Sequence, residues 1–280
     1  MLQDTGNAWI NTEYEAKAPQ EDDYVLMYMG PDVLVNENED LVTYKEWKEK
    51  GGANQDLVRV FSIAGKDFYM MIDSTEKMEQ SFKRVGNARL RTIAPSWLRL
   101  ASITGVHLKS WYNAHHFCGR CGGKMYPDDK ELALRCGCED CRNVIYPSIF
   151  PAVIVAIRNQ DKILLTYSSV RKNPVYALVT GYMSVGETFE KTARREVKEE
   201  TGLDIKNLTY YGNQPWGYSG AQMIGFWADL DGSDEVVVQK SELKEAKWYS
   251  RKEIPPILEE DPLDLTHYMI ELFRNGKDPR

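Results

Sequence analysis

Hydrophobic and polar positions follow different patterns in successive parts of the chain. In the first part, short runs of β-branched and aromatic residues predict a strand at 24–30 and a hairpin over 56–73 that turns at Ala64–Gly65. The run 41–52 ends on two glycines and predicts a short helix. Apolar residues at helical spacing predict further helix within 76–112. No catalytic signature occurs in this part, which favours a role in packing or dimerisation.

The last part of the chain alternates between strand-like and helix-like patterns. Apolar runs at 148–168, 223–232 and 236–239 predict strands, and the run 264–277 predicts a final helix. A glycine-rich segment with clustered cysteines separates the two patterns. These changes predict three domains: an N-terminal α+β module at 1–112, a cysteine-rich segment at 113–147 and a C-terminal domain at 148–280.

Composition and charge exclude two classes of protein. The longest apolar run, 151–157, is far too short to cross a bilayer, and residues 1–23 lack the basic start and apolar stretch of a secretion signal. We therefore expect a soluble cytoplasmic protein with no membrane partner. The formal net charge of −7 argues against binding nucleic acid through bulk positive charge.

All five cysteines lie between residues 118 and 141. In a cytoplasmic chain, an odd and clustered set of cysteines indicates metal ligands rather than disulfides. Cys118 and Cys121 have the spacing of a zinc knuckle, whereas Cys136, Cys138 and Cys141 compete for two further places. Knuckle spacing favours Cys138 with Cys141, so the expected ligands of a closed, structural Zn²⁺ site are Cys118, Cys121, Cys138 and Cys141.

Residues 181–203, "GYMSVGETFEKTARREVKEETGL", place three glutamates on one face of a predicted helix. Glu196, Glu199 and Glu200 lie within an arc of roughly 100° on a helix of 3.6 residues per turn. Like charges at this spacing repel each other and raise each other's pKa values. A cluster that stays ionised therefore needs a cation, and its oxygen ligands suit Mg²⁺ or Mn²⁺. We expect Arg195 to pair with one of the carboxylates.

The same stretch fits the pattern G-x5-E-x7-R-E-U-x-E-E-x-G-U, with U aliphatic, at every position. This pattern is the signature of the Nudix hydrolases, which the chain resembles. A solvated charged face, the alternative, would scatter glutamates among lysines without this register. The resemblance implies an α+β fold, an α/β/α sandwich with a mixed sheet. It also implies hydrolysis of a nucleoside diphosphate linked to another group, with Glu196, Glu199 and Glu200 holding divalent cations that activate water.

The segment "GNQPWGYSGAQMIGF", residues 212–226, follows the cysteine ribbon and the Nudix motif. Over nearly its whole length the chain is similar to the NADH pyrophosphatases, whose corresponding segment reads S-Q-P-W-P-F-P-x-S. The residues that match are Gln214, Pro215 and Trp216, and Tyr218 stands for the phenylalanine. The residues that depart are Asn213, Gly217, Ser219 and Ala221. The family has a serine where this chain has Ala221, and alanine cannot form the serine's hydrogen bond to the nicotinamide. The selectivity for NAD therefore stays open.

The resemblance implies further site residues. A flat nicotinamide or adenine ring stacks on aromatic side chains. The family has such side chains at the position of Tyr182 and, contributed by the second subunit of a homodimer, at the position of Tyr146. The implied substrate-binding set is Tyr182, Tyr146, Gln214, Trp216, Tyr218, Ala221 and Met223. The family also uses a glutamate before the last strand, and its K-E-L pattern favours Glu242 over Glu245 as metal ligand or base. The alternatives are core packing for the aromatic residues and a surface position for the glutamate.

These residues lead to one expected reaction and two alternatives. The expected catalytic set is Glu196, Glu199, Glu200, Arg195 and Glu242, acting on the central pyrophosphate of NADH or NAD⁺ to give nicotinamide mononucleotide and AMP. The resemblance also implies removal of NAD caps from RNA, although the acidic net charge favours the free dinucleotide. One alternative is a Nudix hydrolase of ADP-ribose or dinucleoside polyphosphates. The other is a non-catalytic regulator that senses nucleotide and binds nucleic acid.

Overall fold

The structure of the protein is a computed structural model. It describes residues 1–14, 17–73, 75–168, 176–254 and 264–279. The chain divides into a first unit, Leu2–Ser148 with Gly217–Gly220, and a second unit, Ile149–Trp216 and Ala221–Arg280 with Met1. The further division of the first unit into an N-terminal module and a ribbon stays a prediction.

The first unit is built from short strands and two α-helices. Its strands are β1 (Tyr24–Leu26), β2 (Tyr28–Met29), β3 (Asp32–Val35), β4 (Val42–Thr43), β5 (Leu57–Ile63), β6 (Lys66–Met71), β7 (Lys83–Gly86), β8 (Met125–Pro127), β9 (Leu134–Cys136) and β10 (Val144–Ile145). Its helices are α1 (Tyr44–Glu49) and α2 (Ser96–Ala114), with 3₁₀ turns at Asn54–Asp56, Thr75–Met78 and Asn87–Thr92. The strands form a four-stranded sheet β4-β1-β6-β5 and two three-stranded sheets, β2-β3-β7 and β10-β9-β8.

The predictions of secondary structure for residues 24–112 are confirmed except in one segment. β5 and β6 form the predicted antiparallel hairpin, and Ala64 and Gly65 adopt the positive φ angles of 53° and 75° that a tight hairpin turn needs. The helical prediction for 76–112 is wrong in its first half, where β7 pairs with β3. Pairing with a neighbouring strand outweighs the local spacing there. The helix α2 begins only after Pro95, which lacks the N–H that an interior helical position needs.

Helix α2 is buried around most of its circumference in the core of the first unit. The apolar positions predicted for it are all buried: Leu98, Leu100, Ile103 and Leu108. They pack with residues of β5 and β6, among them Phe61 and Phe68. With 19 residues, α2 is the longest helix in the described ranges. Neither it nor any other described helix is long and apolar enough to cross a membrane.

The second unit is a seven-stranded mixed sheet between two helices. Its strands are β11 (Phe150–Asn159), β12 (Lys162–Ser168), β13 (Tyr176–Ala177), β14 (Val179–Tyr182), β15 (Asp204–Trp216), β16 (Ala221–Asp231) and β17 (Leu243–Ser250). Its helices are α3 (Phe189–Thr201) and α4 (Leu265–Arg274). The strand order is β13-β12-β11-β16-β15, with β14 on β11 and β17 on β12. β11 and β16 are parallel, and the other pairs are antiparallel.

Each helix covers one face of this sheet. Along β11, Val153 and Val155 pack with Ala193 of α3, whereas Ile154 and Ala156 pack with Met269 of α4. Side chains that alternate along a strand point to opposite faces, so a strand buried on both sides reads as a continuous apolar run. The predicted α/β/α sandwich with a mixed sheet is confirmed.

The strand predicted at 236–239 is wrong. The main-chain N–H groups of Val237 and Gln239 donate at 2.9 and 3.0 Å to the carbonyl groups of Thr201 and Glu200, at the end of α3. The last carbonyl groups of a helix have no partner within the helix, and this extended segment supplies the missing donors. Val236 and Val238 still pack against the core beneath α3, which explains their apolar pattern. The segment, which runs from β16 to β17, is therefore hydrogen-bonded to the end of the helix instead of extending the sheet.

Candidate active site

The motif helix α3 has a defined beginning and end. Thr188 is the N-cap residue, and its hydroxyl accepts a hydrogen bond from the Lys191 amide at 3.3 Å. Gly202 ends the helix with a φ of 73°, and its N–H donates to the Lys198 carbonyl at 3.0 Å. Because both ends are fixed by local contacts, the glutamates in the last two turns occupy defined positions.

Arg195 holds the loop before the helix against the helix itself. Its Nε and Nη2 atoms donate to the two carboxylate oxygens of Glu187 at 2.6 and 2.8 Å, the bidentate geometry that is strongest for this pair. Oε2 of Glu187 also accepts from the Ser184 amide at 3.0 Å and the Thr192 hydroxyl at 2.9 Å. These donors, Arg195 foremost, lower the pKa of Glu187 to about 2. Glu187 therefore fixes the shape of the loop.

The same guanidinium contacts two of the three clustered glutamates. Nη1 of Arg195 donates to Oε1 of Glu196 at 2.7 Å and to Oε2 of Glu199 at 2.9 Å, and Nη2 donates to the Tyr182 carbonyl at 3.1 Å. In the described part of the chain, Glu200 is not among the partners of Arg195. The charges that act most on Glu200 are negative ones, so one cation neutralises the cluster incompletely.

Burial strengthens this imbalance. Glu196 is 9% exposed and Glu200 is 5% exposed. Burial, together with the negative charges of Glu196, Glu242 and Glu199, raises the pKa of Glu200 to about 8. Burial also raises the pKa of Glu196, while its hydrogen bond with Arg195 acts in the opposite direction. Added positive charge would favour the ionised carboxylates, so these oxygen ligands fit a divalent cation.

Gly181 lies directly against the carboxylate of Glu196. A Cβ atom at position 181 would lie 1.9 Å from Cδ of Glu196, so only glycine leaves room for that side chain. β14 pairs Gly181 with Val153 of β11, which holds the backbone in this place. The motif glycine is therefore required for space beside a clustered carboxylate.

Glu242 lies in the segment between β16 and β17, which is hydrogen-bonded to the end of α3. Gln239 is bonded to Glu200 through its main-chain N–H, and the N–H groups of Glu242 and Leu243 donate back to the Gln239 carbonyl at 3.0 Å each. The carboxamide of Gln239 also donates to Oε1 of Glu242 at 3.3 Å. No sequence pattern indicates Gln239, because its position depends on how the chain returns from the sheet to the end of the helix.

Of the two glutamates considered before the last strand, Glu242 is the one linked electrostatically to the motif. Its negative charge raises the pKa values of both Glu196 and Glu200. Glu245 instead forms an ion pair with Lys247 at 2.6 Å, in β17. The role of Glu242 as metal ligand or base stays a prediction.

Five of the implied substrate-binding residues belong to the second unit: Tyr182, Gln214, Trp216, Ala221 and Met223. Tyr182, Ala152 and Met223 are register partners across β14, β11 and β16, and Gln214 continues the row on β15. Register partners point to the same face of a sheet. Ala152 shares that face with Ile154, which packs beneath α4. These side chains therefore lie on the face opposite to the one that packs against α3.

Exposure separates two roles within this row. The side chain of Tyr182 is 54% exposed and available for stacking. Gln214 is 0% exposed, and its Oε1 accepts a hydrogen bond from the Leu265 amide at the start of α4, at 2.7 Å. Gln214 therefore anchors the start of α4, and its implied contact with substrate stays a prediction.

The other two implied substrate residues, Tyr218 and Tyr146, belong to the first unit. The hydroxyl of Tyr218 donates to the Asn87 carbonyl at 3.1 Å, and burial raises its pKa to about 12. Tyr146 is 56% exposed, and its hydroxyl donates to the Glu131 carboxylate at 3.0 Å. The substrate contacts of both residues stay predictions.

A separate metal centre lies in the ribbon. It consists of four sulfur atoms that all lie within 4.8 Å of one another, those of Cys118, Cys121, Cys136 and Cys141. The amides of Arg120 and Gly123 each donate at 3.4 Å, to the sulfurs of Cys118 and Cys121 respectively. Amide donors stabilise thiolates, and four thiolates at about 2.3 Å from a common centre form the closed tetrahedral shell of structural zinc. The donor set fits Zn²⁺.

The expectation that Cys138 binds zinc is wrong, because Cys136 takes that place. The sulfur of Cys136 lies 3.4 Å from the sulfur of Cys121. The amide of Cys138 donates to the Cys136 sulfur at 3.5 Å, as the amide of Arg120 does to Cys118. Cys138 therefore contributes its main chain to the knuckle. The rule of three-residue spacing failed because the second knuckle returns to Cys141 through a longer turn.

We expect Cys136→Ser to lose zinc and Cys138→Ser to retain it. The first change removes one of four thiolates, whose binding energy contributes to folding. The second change leaves the main-chain amide in place. Metal content per chain, measured by mass spectrometry on purified protein, checks this directly. Zinc lost from Cys138→Ser but retained in Cys136→Ser would contradict the assignment.

We expect Gly181→Ala to weaken Mn²⁺ binding about tenfold or more, because the added Cβ displaces Glu196 and losses of support around metal ligands have effects of this size. Titration calorimetry with Mn²⁺ measures the change. The matched control is Gly212→Ala, since a Cβ at Gly212 meets nothing within 4 Å. Equal Mn²⁺ affinities for wild type and Gly181→Ala would rule out this role for the glycine.

The raised pKa of Glu200 predicts how stability depends on pH when no divalent cation is bound at the glutamates. Between the ordinary value of 4.5 and about 8, the folded protein holds a proton on Glu200 that the unfolded chain releases. The stabilisation that the bound proton gives to the folded protein is therefore complete below the unfolded pKa of 4.5 and is lost as pH rises through the folded pKa of about 8.

Wild type should lose more thermal stability between about pH 5 and about pH 8 than Glu200→Gln does. Added Mn²⁺ should restore the lost stability of wild type at the higher pH. Melting temperatures over a pH series, with loosely bound cations removed by gel filtration, measure the difference. Glu190→Gln, a change at an exposed glutamate of the same helix, is the control and should behave like wild type. Identical pH slopes for wild type and Glu200→Gln would refute the explanation.

Comparison with protein families finds two domains in this chain. The NUDIX domain matches residues 149–269. The NADH pyrophosphatase zinc ribbon domain matches residues 113–146. The second match includes the four clustered cysteines, and the first includes the motif helix and the clustered glutamates.

Comparison with individual proteins finds relatives that share one name. The NAD-capped RNA hydrolase NudC of Vibrio atlanticus is 32% identical over 236 residues, which cover 84% of each chain. The proteins of that name from Shigella dysenteriae and Escherichia coli (strain SMS-3-5 / SECEC) are 43% identical over 158 and 151 residues. These two alignments cover 56% and 54% of this chain, and 60% and 58% of those proteins.

Among solved structures, a NUDIX hydrolase from Nitrosomonas europaea covers 50% of this chain and 80% of its own, with 23% identity and a TM-score of 0.42. A likeness of this size supports no conclusion about the site. The alignment with the Vibrio atlanticus protein, over most of both chains, is much more extensive. The chain therefore belongs to the Nudix hydrolases, in the family of the NAD-capped RNA hydrolases NudC.

Proposed function

We propose that this enzyme hydrolyses the pyrophosphate bond of NADH or NAD⁺ to nicotinamide mononucleotide and AMP, and that it removes NAD caps from RNA. The substrate is supported by the alignment with NudC of Vibrio atlanticus, which is named an NAD-capped RNA hydrolase. The observation that carries the reaction is the cluster of Glu196, Glu199 and Glu200, in which Arg195 contacts Glu196 and Glu199 while the two buried carboxyl groups, Glu196 and Glu200, have raised pKa values.

We assign Mg²⁺ or Mn²⁺ to these three glutamates, with Glu242 as a further ligand or as the base. A divalent cation held there would neutralise phosphate charge and make water a better nucleophile at neutral pH. Arg195 orients Glu196 and Glu199 through hydrogen bonds of 2.7 and 2.9 Å. Groups fixed before the reaction need no reorganisation during it, which lowers the barrier.

Hydrolysis also requires a group that accepts the proton of the attacking water. The carboxylate of Glu242 is exposed, and Gln239 holds one of its oxygens. The other oxygen is then available to orient that water and take its proton. This placement beside Glu196 and Glu200 supports Glu242 over Glu245, whose carboxylate pairs with Lys247.

The flat ring of the dinucleotide would stack on Tyr182, whose side chain is exposed in the row that also contains Met223. Trp216 is half-buried and would border the same part of the substrate. We further propose a homodimer, in which Tyr146 of a second copy covers the opposite side of the ring. The 56% exposure of Tyr146 supports this, since the residue needs accessible surface to reach a ligand of the neighbouring chain.

We place the enzyme in the cytoplasm, where zinc-ligating thiols remain reduced. The division into an N-terminal module at 1–112, a ribbon at 113–147 and a catalytic domain at 148–280 is part of the same proposal. The family matches at 113–146 and 149–269 support the second and third of these boundaries.

A second candidate is hydrolysis of ADP-ribose or dinucleoside polyphosphates by the same glutamates. It is favoured by Ala221, which is 4% exposed and has no hydroxyl with which to recognise a nicotinamide amide. The candidate substrates differ in the groups joined through the phosphates, and in each of them the bond cleaved is a phosphoanhydride.

We expect NADH incubated with Mn²⁺ to give reduced nicotinamide mononucleotide and AMP, separated and measured by chromatography, with higher kcat/KM than ADP-ribose. Glu199→Gln should lower kcat at least about 100-fold, because it removes a negatively charged oxygen ligand from the cation. Glu190→Gln, on the same helix, should retain wild-type rates. Release of free nicotinamide would refute pyrophosphate hydrolysis, and faster turnover of ADP-ribose would favour the second candidate.

A further inference from the structure

The three-stranded sheet of the ribbon has a buried and an exposed face. Met125 and Cys136 are register partners that turn into the core of the first unit. Tyr126 and Arg135, the next register partners, turn outward and are exposed. An antiparallel bridge between residues 117 and 124 continues the outward side. We name this surface the ribbon face, and it consists of Phe117, Lys124, Tyr126 and Arg135.

The two aromatic rings of the ribbon face are open to solvent. Phe117 is 69% exposed and Tyr126 is 50% exposed. Burial of aromatic side chains is favourable. Adjacent aromatic side chains that are exposed on a small sheet are therefore typical of a binding surface. The ring of Tyr126 is also held in place, because its edge lies against Gly137, where a Cβ would come within 2.6 Å of the ring.

Cationic groups lie beside these rings. The ammonium of Lys124 lies 5.4 Å from the centroid of the Tyr126 ring, within the range of a cation–π contact. Nε of Arg135 donates to the buried carboxylate of Asp128 at 2.6 Å. A side chain that is already ordered loses little further entropy when it binds an anion. The ribbon face therefore offers exposed rings beside the positive charge of Lys124, whereas the charge of Arg135 is offset by the carboxylate of Asp128.

Single-stranded nucleic acid has the matching chemistry, since its bases stack on aromatic rings and its phosphates pair with cations. A second copy of this chain fits less well. If two copies met symmetrically through this face, Lys124 would lie near the same cation of the partner, and such repulsion is costly. The formal net charge of the whole chain is −7, so the cations of the ribbon face are a local feature.

We propose that the ribbon face binds the single-stranded RNA that follows an NAD cap. This inference rests on the proposed function, because an RNA body is present only in the capped substrate. Free NAD⁺ has no nucleotides beyond the dinucleotide and does not need this surface. Changes to the ribbon face therefore affect one substrate and leave the other unaffected.

The double variant Phe117→Ala/Tyr126→Ala tests the stacking. We expect kcat/KM for NAD-capped single-stranded RNA to fall about tenfold or more, mainly through KM, since stacking on an aromatic ring contributes binding of at least this size per base. The same constant for free NAD⁺ should not change. Trp9→Ala is the matched control, because Trp9 is 81% exposed and lies outside the ribbon face. It should alter neither substrate.

Lys124→Ala tests the phosphate contact independently. The logarithm of KM for capped RNA depends on the logarithm of salt concentration, and losing one phosphate contact should reduce that slope by about 0.7. Zinc content is measured for every variant. If the double variant loses its zinc, the salt slope of Lys124→Ala decides the question.

Unchanged kinetics of the double variant on capped RNA would overturn the proposal. So would a change of oligomeric state in light scattering, which would assign the face to contact between copies. If wild type does not hydrolyse NAD⁺ at all, the proposed function fails on its own. Fluorescence anisotropy with uncapped RNA then decides the inference: weaker binding by the double variant supports the ribbon face, and equal binding overturns it.

Discussion

The pairing of one guanidinium with several carboxylates is the interaction on which the catalytic site depends. Arg195 uses two nitrogens for a bidentate contact with Glu187 and a further contact with each of Glu196 and Glu199. Glu200, buried beside them, has a pKa raised to about 8. A buried carboxyl group that meets mostly negative charge either keeps its proton or gains a cation. The arrangement thus orders the carboxylates and leaves part of their negative charge without a compensating cation.

The fold holds this cluster from three directions. β14 brings Gly181 against Glu196, where no larger residue fits. The caps at Thr188 and Gly202 fix the helix. The segment before β17 is bonded to the carbonyl of Glu200 and thereby carries its own glutamate toward the motif. Each contact is individually modest, and together they restrict the carboxylates to the positions that oxygen ligands of one site require.

The ribbon also holds several anionic ligands close together, and here the ligands are thiolates. Four sulfurs within 4.8 Å of one another would repel strongly as anions, and main-chain amides next to Cys118, Cys121 and Cys136 lower that repulsion. A closed shell of four thiolates leaves no position open for a substrate. The two sets of ligands therefore differ: the thiolates fit a closed structural site, and the proposed carboxylate site would leave a cation accessible to phosphate.

The presence of helix α3 and the face that carries Glu196, Glu199 and Glu200 were determined by sequence alone. Periodicity and capping are local, since they link residues within two turns of one another. The hairpin at Ala64–Gly65 is local in the same way. Tertiary structure alone decided the choice of Cys136 over Cys138, the burial of Gln214 beneath α4 and the pairing of 236–239 with a helix end. Each of these is a contact between groups whose approach depends on how separate elements pack, and no pattern within a single element records that approach.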